Sequence, residues 1–77
     1  MVGTSDKWVE RAGRHLKAEL KRAGIGYAEL ARRLTEMELP ETETSVAAKV
    51  NRGTFPAWFL FAVMKAIGRD VVKLDDL

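Results

Sequence analysis

The residue types that carry out catalysis are scarce in this 77-residue sequence. His15 is its only histidine, it contains no cysteine, and neither serine has a sequence-evident catalytic base. A metal site needs three or four convergent ligands, and a nucleophile needs a neighbouring base to activate it. A glycine-rich phosphate loop and a pair of catalytic carboxylates are also missing from the sequence. We therefore expect a protein that is not an enzyme, holds no cofactor or metal, and has no small-molecule substrate.

A different chemistry is suggested by the polar and basic residues between positions 44 and 52. Thr44 and Ser45 have the right size to meet base edges, Lys49 lies one helical turn further on, and Arg52 is placed to hold a phosphate. The alternative is a solvated polar face on a core helix, because such faces are common on protein surfaces. These four residues, with Tyr27 at the start of the preceding helix, form the candidate DNA-contacting site.

Four amphipathic segments must position these residues, because apolar side chains recur along the chain at spacings of three and four. Helix one is expected over residues 6–23. Helix two should begin at Tyr27 and end by Glu38 or Leu39, because Pro40 cannot continue it. Helix three should begin at Thr42 or Thr44, both good N-caps, and end at Arg52 before Gly53. Helix four is expected over residues 56–67.

Charge is distributed unevenly along the chain, although the formal net charge is only +2. Residues 6–33 hold eight basic and four acidic side chains, residues 36–43 hold four acids and no base, and residues 44–69 hold four bases and no acid. The cations of helix one either form a phosphate-binding stripe or serve ordinary solubility through two helix-spaced pairs, Glu10 with Arg14 and Glu19 with Arg22. A continuous phosphate-binding stripe would have fewer acids mixed in. An acidic loop therefore separates two basic segments.

Helix four is apolar on nearly every side. Its regular apolar stripe, expected to face the core, consists of Leu60, Val63, Met64 and Ile67. The stripe leaves out Trp58, Phe59, Phe61 and Ala62. A domain this small cannot easily enclose so many large side chains, so we expect these four residues to form a homodimer or partner interface. The alternatives are burial in the core and coverage by the tail after residue 69.

Composition limits the class of protein further. Hydrophobic residues make up 47% of the chain, which is too high a share for a disordered segment. The absence of cysteine fits a reducing cytoplasm. The longest uncharged stretch, residues 53–64, is shorter than the roughly 20 apolar residues that cross a bilayer. We therefore expect one soluble, cytoplasmic domain over residues 1–77 without a membrane span.

Two phrases of the sequence resemble the two halves of a phage-repressor helix-turn-helix. Residues 26–34, Gly-Tyr-Ala-Glu-Leu-Ala-Arg-Arg-Leu, resemble the first half, and residues 46–53, Val-Ala-Ala-Lys-Val-Asn-Arg-Gly, resemble a recognition helix that closes on an Arg-Gly turn. Residues 64–68 look like the end of the following helix. The phrase Asn-Arg-Gly-Thr-Phe at 51–55, followed by the aromatic helix and Ala-Ile-Gly, is also similar to a group of short, uncharacterised bacterial domains of unknown function.

The resemblance implies an all-α, compact four- to five-helix bundle of the repressor-like helix-turn-helix type, with an extended loop between helices two and three. It also implies a DNA-binding bacterial transcriptional regulator, a dimer on double-stranded DNA, with residues 44–52 as recognition helix. Two departures favour an alternative. The link from Leu34 to Val46 is acidic and about half a dozen residues longer than the usual tight turn, and Gly26-Tyr27 replaces a Ser-Gln pair. The alternative is a protein-protein interaction module on the same scaffold that does not bind DNA.

Overall fold

Four α-helices and one turn of 3-10 helix make up the computed structural model, which describes residues 4–77. The elements are α1 (Thr4–Ala23), α2 (Tyr27–Glu36), α3 (Glu43–Arg52), α4 (Ala57–Ala66) and a 3-10 turn (Leu74–Asp76). The described residues contain no strand, so the all-α prediction is confirmed. Residues 1–3, which the predicted domain includes, lie outside the described part. Within that part, each helix is too short or too polar to cross a membrane.

Four helix boundaries differ from the sequence prediction. α4 is one residue shorter at each end than the expected range 56–67, and the start of α1 and the end of α2 differ by two residues or more. α1 begins at Thr4 and places Asp6 in its first turn, where a carboxylate interacts favourably with the helix dipole. α2 ends at Glu36, before the expected Glu38 or Leu39, because Glu38 adopts a left-handed backbone with a φ of 65°. That turn brings the Leu39 N–H to the Leu34 carbonyl at 2.9 Å and packs the Leu39 side chain against the core. The acidic loop therefore begins earlier than predicted.

All four helices contribute to one hydrophobic core. Its buried members are Leu16 and Leu20 of α1, Leu30, Ala31 and Leu34 of α2, Val46 and Val50 of α3, and Phe59, Val63, Met64 and Ile67 from α4 and its end. The helical period of 3.6 residues places each of these sets on one side of its helix. The core thus fixes which face of every helix remains free for function.

Phe59 belongs to this core and is fully buried. Its ring packs against Phe55, with ring centroids 5.5 Å apart, and lies four residues before the buried Val63. Leu60, which the sequence placed in the core stripe, is only half-buried. The apolar stripe of α4 is therefore rotated toward Phe59. The prediction that Phe59 belongs to a dimer or partner interface is wrong, because no partner can reach a fully buried side chain.

Backbone contact between α1 and the end of α3 fixes how these two helices meet. A Cβ atom on Gly13 would lie 2.8 Å from the Val50 carbonyl oxygen. A Cβ atom on Gly53 would overlap the Val9 carbonyl oxygen, and Gly53 also has a φ of 71°. Only glycine fits both positions without displacing the backbone. The sequence identified Gly53 as a helix stop, and the structure gives it this second role.

A buried carboxylate, that of Glu19, ties α1 to the chain after α4. Its side chain is 1% exposed, and it accepts hydrogen bonds from Arg22 and, at 2.8 Å, from Nε of Arg69. Burial by itself raises the pKa of Glu19, but the hydrogen bonds and charges of Arg69 and Arg22 outweigh it and hold the pKa below its ordinary value of 4.5. The ionised carboxylate is therefore the form that the fold stabilises.

Substitution of Gly53 by alanine tests the close approach of α1 and α3. We expect Gly53→Ala to lower the free energy of unfolding by about 2–5 kcal/mol, from its left-handed backbone and from overpacking against Val9. Gly68→Ala is the matched control, because Gly68 has a φ of 77° and open space around it. The control should lose only about 1–2 kcal/mol. Urea denaturation followed by circular dichroism measures both, and equal losses would contradict the contact.

Substitution of Glu19 tests the buried ion network. We expect Glu19→Gln to lower the free energy of unfolding at pH 7 by about 1.5–3 kcal/mol, because charge-assisted hydrogen bonds are lost. The folded-state pKa is lowered, so this stabilisation is present above pH 4.5 and disappears as pH falls below it. The difference from wild type should shrink accordingly in acid. Glu10→Gln, in an exposed pair with Arg14, should change stability by less than about 0.5 kcal/mol; a similar effect of both variants would refute the network.

Candidate nucleic-acid interface

The start of α3 is held by a reciprocal pair of hydrogen bonds. Thr42 is the N-cap, and its Oγ1 accepts from the Ser45 backbone N–H at 3.0 Å. The Ser45 hydroxyl in turn accepts from the Thr42 backbone N–H at 2.9 Å. This is a capping box, so the start predicted at Thr42 is confirmed. The Ser45 side chain, predicted to touch DNA, helps to hold the helix end in place.

Glu41 in the acidic loop accepts hydrogen bonds from two residues of the predicted DNA site. Its carboxylate, 6% exposed, accepts from the Ser45 hydroxyl at 2.6 Å and from the Lys49 ammonium at 2.6 Å. The same ammonium lies 5.3 Å from the centre of the Phe59 ring. Burial raises the pKa of Glu41, but Lys49 and Ser45 lower it more, and the net pKa lies below its ordinary value. The charge of Lys49 is therefore neutralised within the protein.

The outer face of α3 carries four exposed residues, which are Thr44, Ala48, Asn51 and Arg52. They lie opposite the buried Val46 and Val50, as the helical period requires. Arg52 has no ion pair within the described chain. Of the predicted DNA contacts, Thr44 and Arg52 are thus accessible, whereas Ser45 and Lys49 are half-buried.

A groove of roughly 210 Å³ runs between α1 and the end of α3. Its polar lining comes from Glu10, Arg14 and Lys17 on one side and from Asn51 and Arg52 on the other. The close approach at Gly13 and Gly53 brings these two sides together. Arg14 and Lys17 of α1 therefore lie beside Arg52 at the end of α3, although α2 and the acidic loop separate them in sequence.

A second groove continues from the first at the corner between α1 and α2. It is lined by Lys17, Lys21 and Tyr27, together with Leu20, Ile25 and Gly26. Lys17 lines both grooves, so the two adjoin at its side chain. We call the five residues Arg14, Lys17, Lys21, Asn51 and Arg52 the basic face. Tyr27, half-buried in the first turn of α2, lies at its edge.

Most other arginines are engaged by carboxylates. Arg32 pairs with Glu29 and Glu36, and Arg33 pairs with Glu29 and donates to the Ala66 carbonyl at 2.9 Å. Hydrogen bonds from Arg32 and Arg33 lower the pKa of Glu29 to about 2. Lys17, Lys21 and Arg52 have no such partner within the described residues. Within the basic face, unpaired positive charge therefore lies on Lys17, Lys21 and Arg52, whereas the arginines of α2 are paired.

Sequence reasoning missed the contribution of Asn51 and underweighted the cations of α1. It counted Glu19 among the acids that interrupt an exposed stripe, but this carboxylate is buried. The signal was available, because Glu19 lies three residues after Leu16 and beside Leu20 on the apolar side of the helix. With Glu19 removed from the surface, Glu10 is the one acid that lines the first groove.

The predicted partner interface is divided by the structure. Trp58 is 52% exposed and Phe61 is 66% exposed. Ala62 is half-buried on the same side of α4, because positions three and four residues apart share a helix face. Val72 from the tail packs against the core, while Val71 and Leu74 are exposed. Three of the four predicted interface residues thus lie together on an accessible face.

One comparison with known proteins identifies a relative. A family model described as a domain of unknown function, DUF6471, matches residues 8–72. No curated protein and no solved structure matches the chain. The matched residues include α2, α3 and α4 and nearly all of α1. The protein therefore belongs to the DUF6471 family of domains of unknown function.

Proposed function

We propose that this protein is a bacterial transcriptional regulator that binds double-stranded DNA through the basic face. The observation that carries this proposal is the continuous positive surface from the α1–α2 corner to the end of α3, which Lys17 joins. Neutralisation of phosphates by lysine and arginine supplies most of the sequence-independent affinity for DNA. Lys17, Lys21 and Arg52 are exposed and available for that role.

The outer face of α3 supports DNA in particular. It is the part of the chain that resembles the recognition helix of a repressor-like helix-turn-helix, and Thr44, Ala48 and Asn51 give it small side chains. Small side chains permit close approach to a groove, and an asparagine amide can pair with an adenine edge. In this proposal Thr44, Asn51 and Arg52 contact DNA, and the Tyr27 hydroxyl contacts a phosphate.

Ser45 and Lys49 receive a positioning role in place of direct contact. Their bonds to Glu41 fasten the acidic loop against α3. The pairing also lowers the repulsion that the loop presents to phosphate, since Glu41 is neutralised by Lys49 and Glu36 is paired with Arg32. Glu38 and Glu43 are exposed and have no ion pair in the described chain, so the repulsion that remains comes from these two carboxylates. The cytoplasmic location expected from the cysteine-free composition belongs to this proposal.

Substitution of Lys17 and Arg52 tests the basic face. We expect Lys17→Gln and Arg52→Gln to weaken binding to a labelled DNA duplex, each reducing the slope of log K against log salt by about 0.9. Both residues are exposed, so the fold should be unchanged. Lys73→Gln, an exposed lysine after α4, is the matched control and should leave the slope unaltered. Fluorescence anisotropy at several salt concentrations measures the affinity.

Two results would refute the assignment. One is duplex binding that Lys17→Gln and Arg52→Gln do not weaken, and the other is the absence of binding at low salt. Stronger competition by a single-stranded RNA than by the duplex would point to RNA as the ligand. Retained binding of a protein partner by a variant with both substitutions would favour the interaction module that does not bind DNA.

We further propose that two copies associate through α4. Trp58 and Phe61 are large, apolar and more than half exposed, and with Ala62 they form one side of the helix. Lys65, the single charged residue of α4, lies at the end of this face, where its ammonium can stay in water at the rim while Trp58 and Phe61 fill the centre. A symmetric pair buries the same face twice. Two copies would also present two α3 helices to successive half-sites about one DNA turn apart.

An aspartate at position 61 tests this association. We expect wild-type protein to show a concentration-dependent dimer in sedimentation equilibrium, and Phe61→Asp to weaken it at least about tenfold because a charge enters the apolar contact. Leu74→Asp is the matched control, because Leu74 is equally apolar and 75% exposed but lies outside α4. A monomer at all concentrations, or equal effects of both variants, would contradict association through this face.

A further inference from the structure

We propose that two copies of this chain pack α4 against α4 in antiparallel orientation, so that Trp58 of each copy lies on the partner's Lys65. The inference rests on the association through α4 proposed above, and it names the contacts that would hold the two copies in one arrangement. Trp58 and Phe61 are the large exposed side chains of α4, and Lys65 is its single charged residue. Together with the half-buried Ala62 they lie on the side of α4 that is opposite the buried Val63.

The spacing of these residues suits a two-fold axis at the middle of α4. Trp58 and Lys65 are seven residues apart, so they lie on one side of the helix and about 10 Å from each other along its axis. Phe61 and Ala62 lie midway between them. When two such helices pack antiparallel about this midpoint, each Trp58 comes level with the partner's Lys65. Ala62 then faces the partner's Ala62, and its small side chain lets the helix axes approach to about 8 Å.

The charge of Lys65 favours the antiparallel orientation over the parallel one. In parallel packing each residue meets its own copy, so Lys65 would lie against the partner's Lys65, and like charges that meet in an interface repel. Antiparallel packing separates the two ammonium groups by about 10 Å, a distance at which salt screens their repulsion. It also brings each ammonium group to an indole ring, whose face attracts a cation within about 6 Å.

Small side chains beside Lys65 leave room for the partner's Trp58 ring. Ala62 and Ala66 are one helical turn apart, and both are half-buried. The methylene groups of Lys65 extend this apolar surface while its ammonium group stays at the rim. Within its own chain the Trp58 ring packs edge-on against Phe59, with ring centroids 6.1 Å apart. That contact holds the ring toward the side of α4 that carries Ala62 and Ala66, which is the side it meets on the partner.

Single cysteine substitutions test the arrangement, because the chain contains no cysteine of its own. We expect Ala62→Cys to form a disulfide-linked dimer on oxidation with diamide, since the two copies of position 62 come within the roughly 4.4–6.8 Å between Cα atoms that a disulfide spans. Lys65→Cys is the matched control on the same face. Its two copies lie about 10 Å apart along the helix axes and should remain unlinked. Gel electrophoresis without reductant measures both at a concentration where the wild-type protein is dimeric.

Substitution of Lys65 by glutamine tests the contact with Trp58. We expect Lys65→Gln to raise the Kd of the dimer about two- to fivefold in sedimentation equilibrium, because the attraction between ammonium group and ring is lost. Parallel packing predicts the opposite sign, because the substitution would remove a repulsion. Trp58→Leu should also raise the Kd, and the double variant should raise it by less than the product of the two single effects. Lys73→Gln is the control and should leave the Kd unchanged.

The outcomes separate this arrangement from the association on which it rests. Linking of Lys65→Cys as fast as Ala62→Cys, or a dimer in which neither cysteine links, would overturn the antiparallel contact. An unchanged or lower Kd in Lys65→Gln would overturn the contact between Lys65 and the partner's Trp58. In each of these cases a dimer that Phe61→Asp weakens still supports association through α4. A wild-type protein that is monomeric at all concentrations would refute both proposals.

Discussion

The close contact between the backbones of α1 and α3 is the constraint on which the rest of this structure depends. Gly13 and Gly53 let the two backbone segments approach to a distance that a methyl group on either residue would prevent. This contact determines the width of the groove that places Arg14 and Lys17 beside Asn51 and Arg52. It also sets the direction in which α3 leaves the core. A single pair of glycines thereby connects the packing of the bundle with the composition of its basic face.

Two buried carboxylates hold three cations of this chain in place. Glu19 holds Arg22 and Arg69, and Glu41 holds Lys49. Both carboxylates stay ionised because their hydrogen-bond donors outweigh the effect of burial on their pKa values. A buried ionised group that lost its partners would destabilise the fold, so these cations are fixed in place. The cations of the basic face have no buried carboxylate partner. Binding a phosphate would therefore break no interaction that holds the fold together.

Local sequence patterns predict the helices of this protein. The features that the sequence did not predict depend on backbone conformations and contacts that leave no local pattern. The helix starts at Tyr27 and near Thr42 follow from capping residues and spacing, which act over a few positions. The left-handed turn at Glu38 was missed, because a positive φ is expected from sequence at glycine or asparagine and not at glutamate. The burial of Phe59 was missed because neighbouring aromatic residues in an apolar helix fit several rotations of the helix. The bond from Glu41 to Lys49 joins a loop to a helix eight residues later, beyond any helical period.

The electrostatic character of this protein is therefore set by burial and not by its net charge of +2. A count along α1 gives a mixed sequence of bases and acids, but the fold removes Glu19 from the surface and leaves Lys17 and Lys21 on it. Arg14 lies on the basic face, in the groove that Lys17 and Arg52 also line. Its exposed pair with Glu10 is weak in water, because the solvent screens both charges. Exchange of that carboxylate for another anion therefore costs little energy, so the ion pair does not remove Arg14 from the basic face.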